Sequence, residues 1–415
     1  MFVGECSPST PRHLDKTRQQ TYTRISMHAY YAAFALYSAV SWIDVTVFCL
    51  SEFPAGALIE GAIQAVTLFL LMLTYFFRTT SRLRQIISAL LVILGFAVWR
   101  ISQEGWLFWT CLFVLCAPEF DCKKLSKIVV YTIGAVLVLS TLSVVAGLFP
   151  AQVMVRLDNG VSRNALGFLH PNSLGLAFSV LAIAISVQHF NEFRILYTPV
   201  YLCAAVFVYL IPVSRTSAIS IVLDLAAWII ASEAEKKGHR NLVLVILCVV
   251  LLLSASLSLL LMFLYDDSGS FTVLMNKVLS GRPFFAKQYF DASGIRLLGY
   301  SFADGPTLIS DGGSVRFLVD NAFDHVLLRY GVIPFSLLFG SVAILFAKAF
   351  FNKVDLSLIC GLSMFMLMGV TESFACRVDC NYLLISLAFI FGESISKLCS
   401  SDGQAPSSIA GKIKQ

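Results

Sequence analysis

Long apolar runs, each interrupted by a few polar residues, alternate along almost the whole chain. A helix needs about 20 apolar residues to cross a bilayer, and several runs meet that length. Asn241 to Leu264, Ile128 to Val155 and Ile195 to Ser214 carry no charge, while Tyr330 to Ala347 and Gly61 to Phe77 are nearly as clear. Weaker runs cover His28 to Leu50, Gln85 to Trp99, Gly105 to Pro118, Asn164 to Gln188, Thr216 to Ser232, Leu356 to Thr371 and Cys380 to Gly392. Together they predict an all-α, polytopic integral membrane protein with about twelve spans.

Lys and Arg stay on the cytoplasmic side of such proteins, so the loops orient the chain. Arg12/Lys16/Arg18/Arg24, Arg78/Arg82/Arg84, Lys123/Lys124/Lys127, Arg194, Lys236/Lys237/Arg240, Lys348/Lys353 and Lys397/Lys412/Lys414 fall in alternate loops and are predicted to be cytoplasmic. The intervening loops carry few cations: Arg100, Arg156/Arg163, Arg215 and Arg377. The expected layout is a cytoplasmic tail over 1–27, nine spans over 28–264, a long extracytoplasmic loop over 265–319, three spans over 320–397 and a cytoplasmic tail over 398–415. A polar, basic segment precedes the first apolar run, so that span is expected to act as an uncleaved signal. The long loop holds Phe271, Val273, Leu274, Phe284, Phe285, Tyr289 and Phe290 between Gly and Asp turns and is expected to fold over the outer mouth of the bundle.

Composition agrees with the pattern: of 415 residues, 58% are hydrophobic and 13% charged, far from the soluble globular average. A soluble nucleotide-binding domain has no room. The net charge of +5 comes from cations in short loops, which is topological bias, and nucleic acid is discarded as a partner. Most of the eleven Cys sit in or beside apolar runs, where a thiol behaves as a small hydrophobe. Cys376 and Cys380 share a short outer loop, as a disulfide or as two free thiols.

Ionisable groups at membrane depth are costly and mark function. Arg163, His170 and Asn172 occur in one stretch, seven residues separating the first two, so a continuous helix would put both on one face. Pro171 argues for a break there, and freed backbone groups suit a substrate pocket. A kinked structural helix is the alternative. Arg215 opens a span, where it can bind phosphate through its planar fork or snorkel. Asp224 lies deeper in that span, and Arg282 belongs to Ser280-Gly281-Arg282-Pro283 of the long loop, with Lys277, Lys287, Arg296 and Arg316 nearby. Asp320, Asn321, Asp324, His325 and Arg329 enter the next span within about two turns. Glu372, at the outer end of a later span, completes the set, with capping as its bland reading. No phosphate-binding glycine loop, zinc motif or metal-binding carboxylate pair occurs, so neither cofactor nor metal is expected.

These pieces resemble the Wzy-type polymerases of O-antigen and capsular polysaccharide, within the O-antigen polymerase and ligase superfamily. The similarity rests on Arg163 to Gly175, read as R-N-x-x-G-F-x-H-P-N-x-x-G, and on Ser214-Arg215-Thr216, Ser280-Gly281-Arg282, Gly299-Tyr300, Asp320-Asn321 with Tyr330-Gly331, and Thr371-Glu372. They run in family order over about half the chain, from Arg163 to Glu372. Ligases of the superfamily carry His-Asn-x9-Gly at the end of the long loop. Here Asn321 and Gly331 keep that spacing with Asp320 in place of the His, a departure toward the polymerases.

The resemblance implies a GT-C-like glycosyltransferase of the bacterial inner membrane. It would join undecaprenyl-diphosphate-linked repeat units en bloc at the outer face, for O-antigen, capsule or exopolysaccharide, with a flippase and a chain-length regulator as partners. Arg163, Arg215 and Arg282 are assigned to the diphosphate, and Asp320 or His170 to the base. Asp324 and Glu372 are assigned to orienting or sugar-binding roles, Asn172, Asn321 and Arg329 to the glycan, and the loop aromatics to sugar stacking. An O-antigen ligase, a lipid-linked oligosaccharide flippase or other transporter, and a peptidoglycan-type polymerase of the shape-and-division family, whose loop pattern is not found here, are the rivals.

Overall fold

The computed structural model describes residues 12–77, 82–118, 120–155, 160–302, 307–310, 313–316 and 319–391. The tail over 398–415 and the cations Arg78, Arg156, Lys397, Lys412 and Lys414 lie outside the described residues.

Apolar runs become helices because a backbone in lipid must satisfy its own hydrogen bonds. The helices are α1 (Arg12–Ile43), α2 (Gly56–Phe76), α3 (Arg82–Ser102), α4 (Trp106–Cys116), α5 (Cys122–Val145), α6 (Pro171–Gln188), α7 (Tyr197–Leu210), α8 (Arg215–Lys236) and α9 (Arg240–Leu264). They continue as α10 (Ser270–Val278), α11 (Arg282–Ser293), α12 (Ala322–His325), α13 (Val332–Phe350) and α14 (Leu356–Met368). Among the described residues, α2, α5, α6, α8, α9, α13 and residues 85–102 of α3 make seven helices long and apolar enough to cross a membrane. The protein is an all-α membrane protein. The apolar helices α4, α7 and α14 are shorter, and the apolar run after Cys380 forms 3-10 turns over Tyr382–Phe391.

Two expected spans are interrupted. The apolar run from Ile128 stops being helical at Val145, and the chain turns at Gly147 (φ +74) into the antiparallel pair β1 (Val153–Val155) and β2 (Ser162–Asn164). The run from Asn164 becomes helical at Pro171, so Arg163 and His170 share no helix. The tail boundary at residue 27 falls inside α1.

The long loop is structured where it is described. Helices α10 and α11 are followed by the hairpin β3 (Thr307–Ser310) and β4 (Gly313–Arg316). Tyr289 is 1% exposed and stacks on Phe302 at 4.3 Å, and both join Met262 of α9, Tyr300 and Leu328 in a small second core. The aromatics expected to stack on sugars are therefore largely spent on packing: Phe290 lies edge-on to Phe263, and Phe284 edge-on to Tyr265 and Phe285. Phe271 remains exposed. Gly299 (φ +70) ties this segment to the bundle, since an added Cβ would lie 2.0 Å from the Arg329 carbonyl oxygen. The segments Gly299-Tyr300 and Tyr330-Gly331 thus meet in space, with the Tyr300 N–H donating to Arg329 O at 3.2 Å.

Candidate functional site

Three helix starts and one helix end meet around a cluster of charges. Arg163 is carried by β2, paired opposite Met154. Its side chain is buried; Nε donates to Pro212 O at 2.8 Å, just before α8, and Nη2 donates to Asn172 Oδ1 in the first turn of α6. At the start of α8, Thr216 donates to Glu372 Oε1 at 3.5 Å. Arg282, the first residue of α11, places Nη2 3.5 Å from Glu372 Oε1 and 4.0 Å from Asp320 Oδ2. Its Nε and Nη1 are held by Thr371 O at 2.6 Å and Leu279 O at 3.1 Å. Helices α6 and α8 approach closely because residue 175 is glycine; a Cβ there would lie 2.7 Å from Ser214 Oγ.

The structure thus brings together Arg163, His170, Asn172, Arg282, Asp320 and Glu372, with Arg215 exposed at the start of α8 beside them. Arg215 has no ion-pair or hydrogen-bond partner among the described residues, whereas Arg163 and Arg282 are tied to the fold. Helix starts carry partial positive charge and unsatisfied N–H groups, so three of them beside the Arg163 and Arg282 guanidinium groups suit an oxyanion.

The backbone is strained beside each arginine. Leu166 (φ 43), Val213 (φ 50) and Ser280 (φ 55) adopt left-handed geometry close to Arg163, Arg215 and Arg282. Such residues cost about 1–3 kcal/mol each and concentrate at functional sites; Val213, being β-branched, is the most unfavourable.

His170 caps α6, and its Nδ1 accepts from Asn172 N at 3.0 Å. The neutral ring therefore carries its proton on Nε2 and presents a donor. Desolvation and the Arg163 charge hold its pKa below the ordinary value, with Asp320 acting the other way. Glu372 is buried, and burial raises its carboxyl to about 7, aided by Asp320 and opposed by Arg282, Thr216 and Arg163.

Asp324, Asn321 and Arg329 do not join this cluster. Asn321 caps α12 by accepting from Phe323 N at 2.9 Å and Asp324 N at 3.3 Å, so its role is structural. Asp324 is 2% exposed, and its Oδ1 accepts no hydrogen bond among the described residues. Arg329 pairs with Glu104 Oε1 at 3.1 Å, and Glu104 Oε2 accepts from Tyr330 OH at 2.6 Å and faces His325 Nε2 at 2.8 Å. His325 Nδ1 faces Val319 O at 3.1 Å, so both ring nitrogens meet acceptors. Burial alone would raise the Glu104 carboxyl, but His325, Arg329 and Tyr330 outweigh it and hold it below its usual range. Sequence reading missed Glu104; its signal was the polar break Ser102-Gln103-Glu104-Gly105 between two apolar runs.

Asp224 is buried in α8, with Oδ1 accepting from Ser186 at 3.1 Å. Cys376 and Cys380 are free thiols, and neither forms a disulfide. Arg377, expected in an outer loop, is largely buried and paired with Asp379 at 2.5 Å. No group of three or more His, Cys, Asp or Glu suited to a metal ion occurs among the described residues. No protein-family model, curated protein or solved structure matches the chain.

Proposed function

We propose that this protein is a polysaccharide polymerase of the O-antigen and capsule type, a metal-independent glycosyltransferase working on undecaprenyl-diphosphate-linked repeat units. The observation that carries the reading is the gathering of Arg282, Arg163 and Asp320 around Glu372 at the starts of α6, α8 and α11, with Arg215 exposed one residue from Thr216, which donates to Glu372. Guanidinium groups match phosphate oxygens and keep their charge at any relevant pH. A lipid diphosphate leaving group needs such an environment.

The half-exposed Asp320 takes the proton of the attacking sugar hydroxyl as that oxygen bonds to the anomeric carbon of the donor, whose bond to the diphosphate oxygen breaks. His170 is the weaker base, because Asn172 N–H occupies the ring nitrogen that would accept. It donates from Nε2 instead. Arg215 contacts the departing diphosphate, while Arg163 and Arg282 hold the strained loops and add positive charge. Glu372, with a carboxyl near neutrality, tunes the charge facing Asp320 and Arg282. About twelve spans, a GT-C-like arrangement, both termini in the cytoplasm and the site on the outer face of the bacterial inner membrane belong to the same proposal. So do a flippase that supplies the repeat units and a regulator of chain length.

Deleting the gene and analysing lipid-linked glycans by mass spectrometry tests the reading. A polymerase leaves single repeat units on undecaprenyl diphosphate or capping the surface acceptor, without polymer. Full-length polymer retained on the lipid would mean a ligase instead, and repeat units trapped on the cytoplasmic leaflet a flippase.

A further inference from the structure

A cavity of about 370 Å³ lies between the end of α1, α2 and the start of α4. Its size falls within the range of small-ligand sites. Three indoles, Trp99, Trp106 and Trp109, border it. None of their N–H groups is hydrogen-bonded among the described residues. Trp109 packs against Tyr37 at 5.0 Å, and Trp106 stacks on His325 at 5.7 Å with the Arg377 guanidinium 4.2 Å from its ring, so the rings are fixed before any ligand arrives.

Two carboxylates face the same space, each anchored through one oxygen. Asp44 Oδ1 accepts from Leu50 N at 3.2 Å, and Glu60 Oε1 accepts from Gln64 Nε2 at 2.8 Å, which leaves their second oxygens open. Thr67, fully buried, also borders the cavity, and its hydroxyl has no partner among the described residues. An unpaired buried hydroxyl beside oriented acceptors is costly unless something occupies the space.

We propose that this cavity binds a saccharide. Arg377, neutralised by Asp379, leaves the acidic pair dominant and disfavours phosphate or a fatty acid. Sugar hydroxyls both donate and accept, matching a lining that mixes carboxylate oxygens with indole, hydroxyl and amide groups, and indole rings cover the apolar C–H faces of a pyranose. One wall of the cavity is tied to the loop that ends at His170: Leu169 N donates to Val45 O at 2.9 Å and Val47 N to Gly167 O at 2.8 Å. The proposal supplies a glycan subsite for the polymerase reading and rests on it for biological role, whereas binding is measurable without it.

The test uses the full chain in detergent against a printed panel of pyranose mono- and oligosaccharides, with hits titrated by tryptophan fluorescence. Saturable binding is expected, weakened tenfold or more by Glu60→Gln and by Trp99→Leu and unchanged by Lys124→Ala, an exposed residue outside the cavity. Absence of binding across the panel, binding that survives both pocket substitutions, or preferential binding of tetramethylammonium, as an aromatic cation cage would give, overturns the proposal. If deletion of the gene leaves polymer intact while saccharide binding holds, the polymerase reading falls and the pocket stands; polymer lost without saccharide binding means the reverse.

Discussion

Two charge clusters, both drawing on the short stretch from Asp320 to Tyr330, differ in what remains open. Around Glu104 every charge is answered: His325, Arg329 and Tyr330 converge on one buried carboxylate. Around Arg282 the arrangement is unfinished, because Arg215 is exposed and Asp320 is half-open at 41%. Asn321, immediately before α12, caps that helix. A dense run of polar residues entering a span is therefore two structures: its first residue faces the site, while Asn321, His325 and Arg329 lock the fold. A satisfied buried network contributes to uniqueness of the fold and leaves nothing over for a ligand.

Breaking the closed cluster should give the largest effect. Glu104→Ala leaves His325 and Arg329 buried without their carboxylate, at a cost of about 3–5 kcal/mol. The protein should fail to accumulate in membranes on quantitative immunoblot; normal accumulation would mean that the network does not hold the fold. In the open cluster the same kind of truncation should spare the fold. Arg215→Ala should retain wild-type thermal stability in detergent while slowing polymerisation by about 10²–10³, the effect of removing one direct charge-stabilising contact. A matching loss of stability would move Arg215 into the structural class.

A subtler difference is expected from pH. The folded pKa of Glu372, about 7, lies above its ordinary value of 4.5, so its contribution to stability is fully present below about 4.5 and lost as pH rises through about 7. Glu372→Gln should therefore raise the thermal midpoint at pH 8 and leave it nearly unchanged at pH 4.5. A shift of equal size at both values would remove burial as the cause. The smallest effect belongs to the helix cap: Asn321→Ala should cost about 1 kcal/mol, seen as a slightly lower midpoint with the cluster otherwise intact. A complete loss of polymer at unchanged stability would instead make Asn321 a ligand of the glycan.

Much of the architecture was legible because apolar runs in lipid have one outcome. Asn241 to Leu264 is α9 almost to the residue. What escaped reading was where helices stop inside an apolar run: Gly147 and Pro150 end the run from Ile128, and the resulting hairpin carries Arg163 to the start of α6. Arg282, Asp320 and Glu372 were legible because each lies at or next to a helix end, and Arg163 because it opens the polar stretch that runs to Asn172. Their contacts span 209 positions of chain, from Arg163 to Glu372, and no local pattern encodes that. Asp44, Glu60 and Glu104 went unread because each lies in or beside an apolar run with no motif around it, and only packing gathers their neighbours.

The central claim is that the open cluster handles a lipid diphosphate. Its most direct test is the distribution of glycan lengths on undecaprenyl diphosphate in cells whose sole copy carries Arg215→Ala, with membrane levels of the protein matched to wild type. Accumulation of single repeat units is the predicted result; a normal ladder of lengths at normal protein level would contradict the account.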